Sequence, residues 1–262
     1  MEPQQIEIIH FNDYGIEVPI RRDPTNETYL ALQPPEALPY VVAPRETETA
    51  AVVEFVQQRL ATLLELREDM LKHYKKTKSL KCHFKTGDVA YLIGRPFMLR
   101  VNPLSSGKKT KEATRTRIKV RATMHSDFSL IDLNVAQTND YDQGRAAFFS
   151  YAKPVFARNI QSLLKQCMAR VFPEQPVPEK VESRPMREAW VRFNEEQGVV
   201  WFSESLIPYP ADAIVYTYLV EAIKRFAPEA DEEERQGLLE KGVPNWQDMK
   251  ALLADANNRY AL

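Results

Sequence analysis

The feature that most restricts the fold is a pair of long stretches, residues 50–76 and 141–172, in which apolar side chains recur every three or four positions. That spacing lines one face of a helix. In the first stretch Val53, Val56, Leu60, Leu63 and Leu64 form the stripe, with Thr49 placed to cap it. In the second the stripe is Phe156, Ile160, Leu163, Leu164, Cys167 and Val171. Pro154 there predicts a kink or the start of a second segment, because it has no N–H to give. Cys167 reads as a small buried hydrophobe.

Around these helices the chain reads as strands. Ile6–Phe11 and Tyr14–Ile20 flank an Asn12-Asp13 turn, and Thr28–Leu32 is a third candidate. Pro34, Pro35, Pro39 and Pro44 predict loop or extended chain. Val89–Ile93 and Phe97–Val101 flank Gly94-Arg95-Pro96 as a hairpin, and Phe128–Leu133 is a further strand. After the Pro-rich stretch 172–178, Met186–Phe193 and Val199–Phe202 form a second hairpin. A helix over 211–226 follows, with Val215, Leu219, Ala222, Ile223 and Phe226 as its core face. The expected class is α+β: a β-rich part with a long helix over 1–172, then a helical part with a β-hairpin over 179–262.

Several function classes drop out early. No apolar stretch reaches 18 residues, so no membrane span is expected. Met1-Glu2-Pro3-Gln4-Gln5 has no basic region followed by an apolar run, so no secretory signal is expected. Two cysteines, Cys82 and Cys167, cannot supply a disulfide framework or a four-cysteine zinc site, and the expected compartment is a reducing cytoplasm. Neither GxGxxG nor GxxxxGK[ST] occurs, and no cofactor is expected.

The net charge of −1 hides a strong segregation. Residues 1–70 carry 5 basic and 13 acidic side chains, whereas residues 71–121 carry 15 basic and 2 acidic. Residues 174–262 return to 10 basic and 17 acidic. The basic middle either meets its acidic neighbours within the chain or meets an anionic partner. Its candidate anion-binding residues are Lys108, Lys109 and Lys111 in a loop, then Arg115, Arg117, Lys119 and Arg121 on one face of a strand.

The final third carries a resemblance. Ala189-Trp190-Val191-Arg192-Phe193, then Gly198-Val199-Val200-Trp201-Phe202, precede Leu206-Ile207-Pro208-Tyr209-Pro210 and Ile214 to Arg225. Upstream, Phe84 to Leu99 contains Phe84-x-x-Gly87 and Tyr91-Leu92-x-Gly94-Arg95. In order and spacing this resembles the YgjP-like family of zinc-dependent metallopeptidases, relatives of the SprT-type proteases. The resemblance implies a zincin-like helix bearing HExxH, with a third histidine further on. Two imidazoles at i and i+4 would grip one zinc, and the glutamate between them would activate its water.

The departures fall on that chemistry. The histidine positions of HExxH hold Val220 and Lys224, the glutamate position keeps Glu221, and the third histidine is matched by Asn245. Valine has no donor atom, and a lysine ammonium has no free lone pair. Either Lys224 neutralises the orphaned Glu221, or the two are an ordinary surface pair. Trp190 and Trp201 read as core aromatics. The expectation is a pseudoenzyme that has lost its zinc site and works by binding a protein partner. The alternatives are a hydrolase with a rebuilt site around Glu221, and a nucleic-acid-associated module using residues 71–121.

Overall fold

The computed structural model describes residues 7–23, 27–77, 81–104, 121–255 and 260. The chain divides into two compact units: residues 1–90 with 96–150, and residues 91–95 with 151–262. The class is α+β, as the mixture of helical and alternating patterns predicts. Among the described residues no helix is long and apolar enough to cross a membrane.

The first unit opens with β1 (Glu7–Phe11) and β2 (Ile16–Asp23), joined by a single 3-10 turn over Asn12–Tyr14. Gly15 closes that turn at φ +59°, a conformation that side chains resist. β3 (Tyr29–Gln33) and β4 (Leu38–Pro44) complete a sheet in the order β1-β2-β4-β3. Of the loop or extended chain expected over the proline cluster, β4 takes the extended form from Leu38 to Pro44. Pro39 sits where β4 faces only β3, and Pro44 is the last residue of the strand, so neither interrupts a two-sided ladder. Pro39 through Ala43 are all buried, which gives β4 its reason to form.

Helix α1 (Thr49–Thr77) packs on β3 and β4. Its buried face is Val52, Val56, Leu63, Leu66, Met70 and Tyr74, a stripe rotated from the expected one; Val53, Leu60 and Leu64 are only half-buried. Each full burial of such a side chain contributes about 1.5–3 kcal/mol. Thr49 opens the helix, but its hydroxyl donates to Glu7 Oε2 at 2.8 Å and accepts from Arg22 Nη2 at 2.9 Å.

A second sheet orders β5 (Val89–Leu92), β6 (Arg95–Pro103), β8 (Leu130–Val135) and β7 (Arg121–His125) as β5-β6-β8-β7. Helix α2 (Tyr141–Val171) is one continuous helix with Pro154 inside it, not two segments. Phe156, Ile160, Leu164, Cys167 and Val171 are buried as the spacing predicts, and Leu163 is half-buried.

The second unit holds β9 (Lys180–Arg184), β10 (Val191–Asn194) and β11 (Val199–Ser203) in the order β10-β11-β9, with β9 parallel to β11. β10 is shorter than the strand expected over 186–193. Helix α3 (Ala211–Phe226) packs against β10, α4 (Glu232–Gly242) and α5 (Trp246–Ala254).

Candidate functional site

The candidate site is built on α3, and the chain leading into that helix is firmly held. The N–H groups of Ile93 and Gly94 donate to the carbonyls of Ile207 (2.8 Å) and Pro208 (3.0 Å). A Cβ on Gly94 would stand 3.0 Å from Pro210 Cα, so only glycine allows this approach. Pro210 precedes the first turn, Asp212 lies within it, and Lys224 and Arg225 occupy the last, an order that suits the helix dipole.

One face of α3 is core. Ala213, Ile214, Val215, Thr217, Tyr218, Leu219, Ala222 and Ile223 are buried. The ring of Tyr218 lies 5.4 Å from that of Phe193 on β10 and stacks on that of Phe202 on β11 at 6.4 Å. Burial pushes the Tyr218 phenol far above its ordinary range, so it stays protonated.

The opposite flank borders a cleft of about 410 Å³. Tyr216, Thr217, Val220 and Glu221 line it from α3, Glu188 and Trp190 from the chain before β10, and Lys250 and Leu253 from α5. Trp190 is 40% exposed, which corrects its reading as a core aromatic. Trp201 is half-buried beneath the Arg184 guanidinium, 4.0 Å from the ring centre. Tyr216 stacks on Trp246 at 6.4 Å and a 14° interplanar angle, which ties α5 to α3.

Of the four positions singled out by the motif, Val220 and Glu221 face this cleft. Lys224 is not among its lining residues, but its Nζ donates to Glu221 Oε1 at 2.7 Å. The pair is largely exposed, at 62% for Lys224 and 39% for Glu221. Asn245 stands at the start of α5, and its amide donates to Asp212 Oδ2 at 3.2 Å.

These residues do not fit a zinc ion. Val220 offers carbon only, Glu221 already accepts from an ammonium, and the Asn245 amide is turned to Asp212. Among the described residues no group of three or more His, Cys, Asp or Glu is placed to hold a metal. Nor is a cysteine nucleophile at hand: burial pushes both the Cys82 and the Cys167 thiol up, away from the thiolate.

The cations Lys108, Lys109, Lys111, Arg115, Arg117 and Lys119 lie outside the described residues. Of Arg121 only its place at the start of β7 is known. The sequence reading missed Glu188, Tyr216 and Lys250. Tyr216 and Lys250 sit at exposed or half-buried helix positions that periodicity cannot separate from ordinary surface. Glu188 lies in irregular chain.

No curated protein and no solved structure matches the chain. A family model described as the YgjP-like metallopeptidase domain does match it, over residues 27–256. That span takes in β3 through α5, including α3, which bears Glu221, and the β10–β11 hairpin before it. The chain belongs to the YgjP-like metallopeptidase family.

Proposed function

We propose that this member of the family is not a peptidase, and that it works by holding a segment of a protein partner in the cleft beside Glu221. The donor set carries the reading. Spacing sets Val220 and Lys224 at the two histidine positions of the family's motif, and support comes from the hydrogen bond that Lys224 donates to Glu221, the glutamate this reading assigns to water activation. What remains is a concave surface with Trp190, Tyr216, Val220 and Leu253 as apolar walls and Glu188, Glu221 and Lys250 as polar groups. A half-exposed tryptophan in a concave site is the residue type most often found to anchor a protein interface.

The test has two arms. Elemental analysis of the purified protein is expected to give well under one zinc per chain, with no chelator-sensitive cleavage of unfolded protein substrates. About one zinc surviving gel filtration, with cleavage lost in Glu221→Gln, overturns the reading. Peptides selected from a random display library on the wild-type protein are expected to bind Trp190→Ala at least tenfold more weakly, as for a hot-spot residue. Selected peptides that bind both proteins equally remove the cleft from the account.

A further inference from the structure

The first unit carries a second concave site, far from the motif in sequence and different in chemistry. It is a pocket of about 790 Å³. Lys72 and Lys76, one helical turn apart on α1, line one wall; Lys85 and Thr86 line another; Asn139 and Val101 are also on its rim. All three lysines are exposed. Among the described residues neither Lys76 nor Lys85 forms an ion pair with a carboxylate.

The walls are fixed to each other from beneath. Asp88 is fully buried, and its Oδ2 accepts from the backbone N–H of His83 (2.7 Å) and of Lys85 (2.9 Å). Its Oδ1 lies 2.6 Å from Nε2 of His73 on α1. Gly87, at φ +91°, lets the loop lie flat against the helix: a Cβ there would sit 2.6 Å from His73 Cβ. Thr86 Oγ1 accepts from the Val101 N–H at 2.9 Å. Lys85 is thus held across from Lys72 and Lys76 by the backbone, before any ligand arrives.

Acidic groups are present and few. Asp69 lines the same pocket, and Glu68 accepts from Lys72 at 3.0 Å. Both are on α1, and the Lys72–Glu68 pair is an exposed i,i+4 contact of the weak kind that a multivalent anion displaces. No Phe, Tyr or Trp lines the pocket, and the one ring in its lining, the His73 imidazole, is buried against Asp88 and Tyr74, so no exposed face is offered for stacking on a base. Lysines act as point charges without directional readout. Two of them at i,i+4, about 5–6 Å apart at Cβ, face neighbouring charges of one repeating chain.

We infer that this pocket binds the phosphate backbone of a nucleic acid strand without reading its sequence. It differs from the cleft beside Glu221 in place and partner, and stands or falls separately. The experiment is a fluorescence-anisotropy titration of a labelled oligothymidylate with the full chain, repeated over a range of salt. Wild type is expected to bind at low salt. The triple variant Lys72→Gln/Lys76→Gln/Lys85→Gln is expected to bind roughly tenfold more weakly, with a salt slope shallower by about 2, since each phosphate contact contributes about 0.7 for a single strand. Its melting temperature should be unchanged, because none of the three is buried. Lys165→Gln/Lys241→Gln, exposed lysines in the other unit, should bind as wild type does. The inference is overturned if wild type shows no binding at low salt, or if the triple variant matches it within twofold. It is equally overturned if the control pair loses as much. Displacement of the strand by polyglutamate at equal charge concentration would make an acidic protein the partner instead. Displacement by inorganic phosphate at matched ionic strength would make the site one for a free anion.

Discussion

Replacing Asp88 with alanine is expected to cost the first unit about 3–5 kcal/mol, within the range for two backbone donors left without their acceptor. The magnitude follows from what the carboxylate does. It is 0% exposed and satisfies two backbone N–H groups, of His83 and Lys85, while its other oxygen faces His73 Nε2 at 2.6 Å. Alanine leaves the two backbone N–H groups without their acceptor, and each unsatisfied donor costs about 1–3 kcal/mol. At about 2–4 °C per kcal/mol the melting temperature should fall by roughly 6–20 °C. Asp88→Asn keeps an oxygen for the two amides and changes only what His73 faces, so its cost should be smaller, about 1–2 kcal/mol. Equilibrium unfolding in urea, followed by circular dichroism for wild type, both variants and His73→Ala with and without Asp88→Ala, measures these costs and their coupling. The reasoning is refuted if Asp88→Ala costs less than about 1 kcal/mol, or if Asp88→Asn costs as much as alanine, since the amide bonds would then carry none of the effect.

Three further outcomes are expected. Burial raises the Asp132 carboxyl, but hydrogen bonds from Arg100 and His125 and the Arg100 charge outweigh it, leaving the group below its usual range. Its stabilisation is therefore present above the unfolded value of about 3.9 and lost as pH falls through the lower folded value. Asp132→Asn should destabilise most near neutral pH and match wild type in strong acid; unfolding curves taken from pH 7 downward check this, and a gap constant with pH contradicts it. Gly144→Ala gains about 0.8–1 kcal/mol of helix propensity but sets a Cβ 2.8 Å from Phe84 Cβ and 2.9 Å from its carbonyl oxygen, so overpacking of about 1–3 kcal/mol should win and lower the melting temperature. Burial, then the Asp88 charge, raises the Cys82 thiol, and burial raises Cys167, so a thiol reagent at pH 8 should label the native chain slowly and two sites per chain in denaturant. Rapid labelling of one site in the native chain would contradict it.

What the sequence made legible follows from how local each signal is. α1, α2 and α3 bury stripes that repeat along one segment, so their spacing announces them. The β1–β2 hairpin and the Gly94 turn carry their own turn residues. β9 has no such signal: in Lys-Val-Glu-Ser-Arg only Val181 is buried, and the strand exists because β11 pairs with it in parallel. α4 is mostly exposed and so lacks a stripe, yet Asp231 and Glu234 form a capping box that a search for caps would have found. The basic pocket was half legible. Lys72 and Lys76 share a helix face by spacing alone, but the approach of Lys85 depends on where Asp88 is buried. Trp190 was misread because it falls inside the strand expected over 186–193, whereas β10 begins one residue after it, at Val191.

Helix α3 is held by its core flank, and positions 220 and 224 lie outside that flank. A catalytic zinc site asks for donors on the exposed flank of a helix whose other flank is core. In α3 the core flank is intact, with eight buried residues from Ala213 to Ile223, and that burial holds the helix in place whatever stands at 220 and 224. Valine at 220 is half-buried and adds apolar area rather than an unmet polar group. At 221 the carboxylate is 39% exposed, so water solvates much of its charge. Lys224 supplies the opposite charge from one turn away at 2.7 Å, tethered to the same helix and needing no ligand from elsewhere. Charge balance between Glu221 and Lys224 is thus local to four residues of one helix.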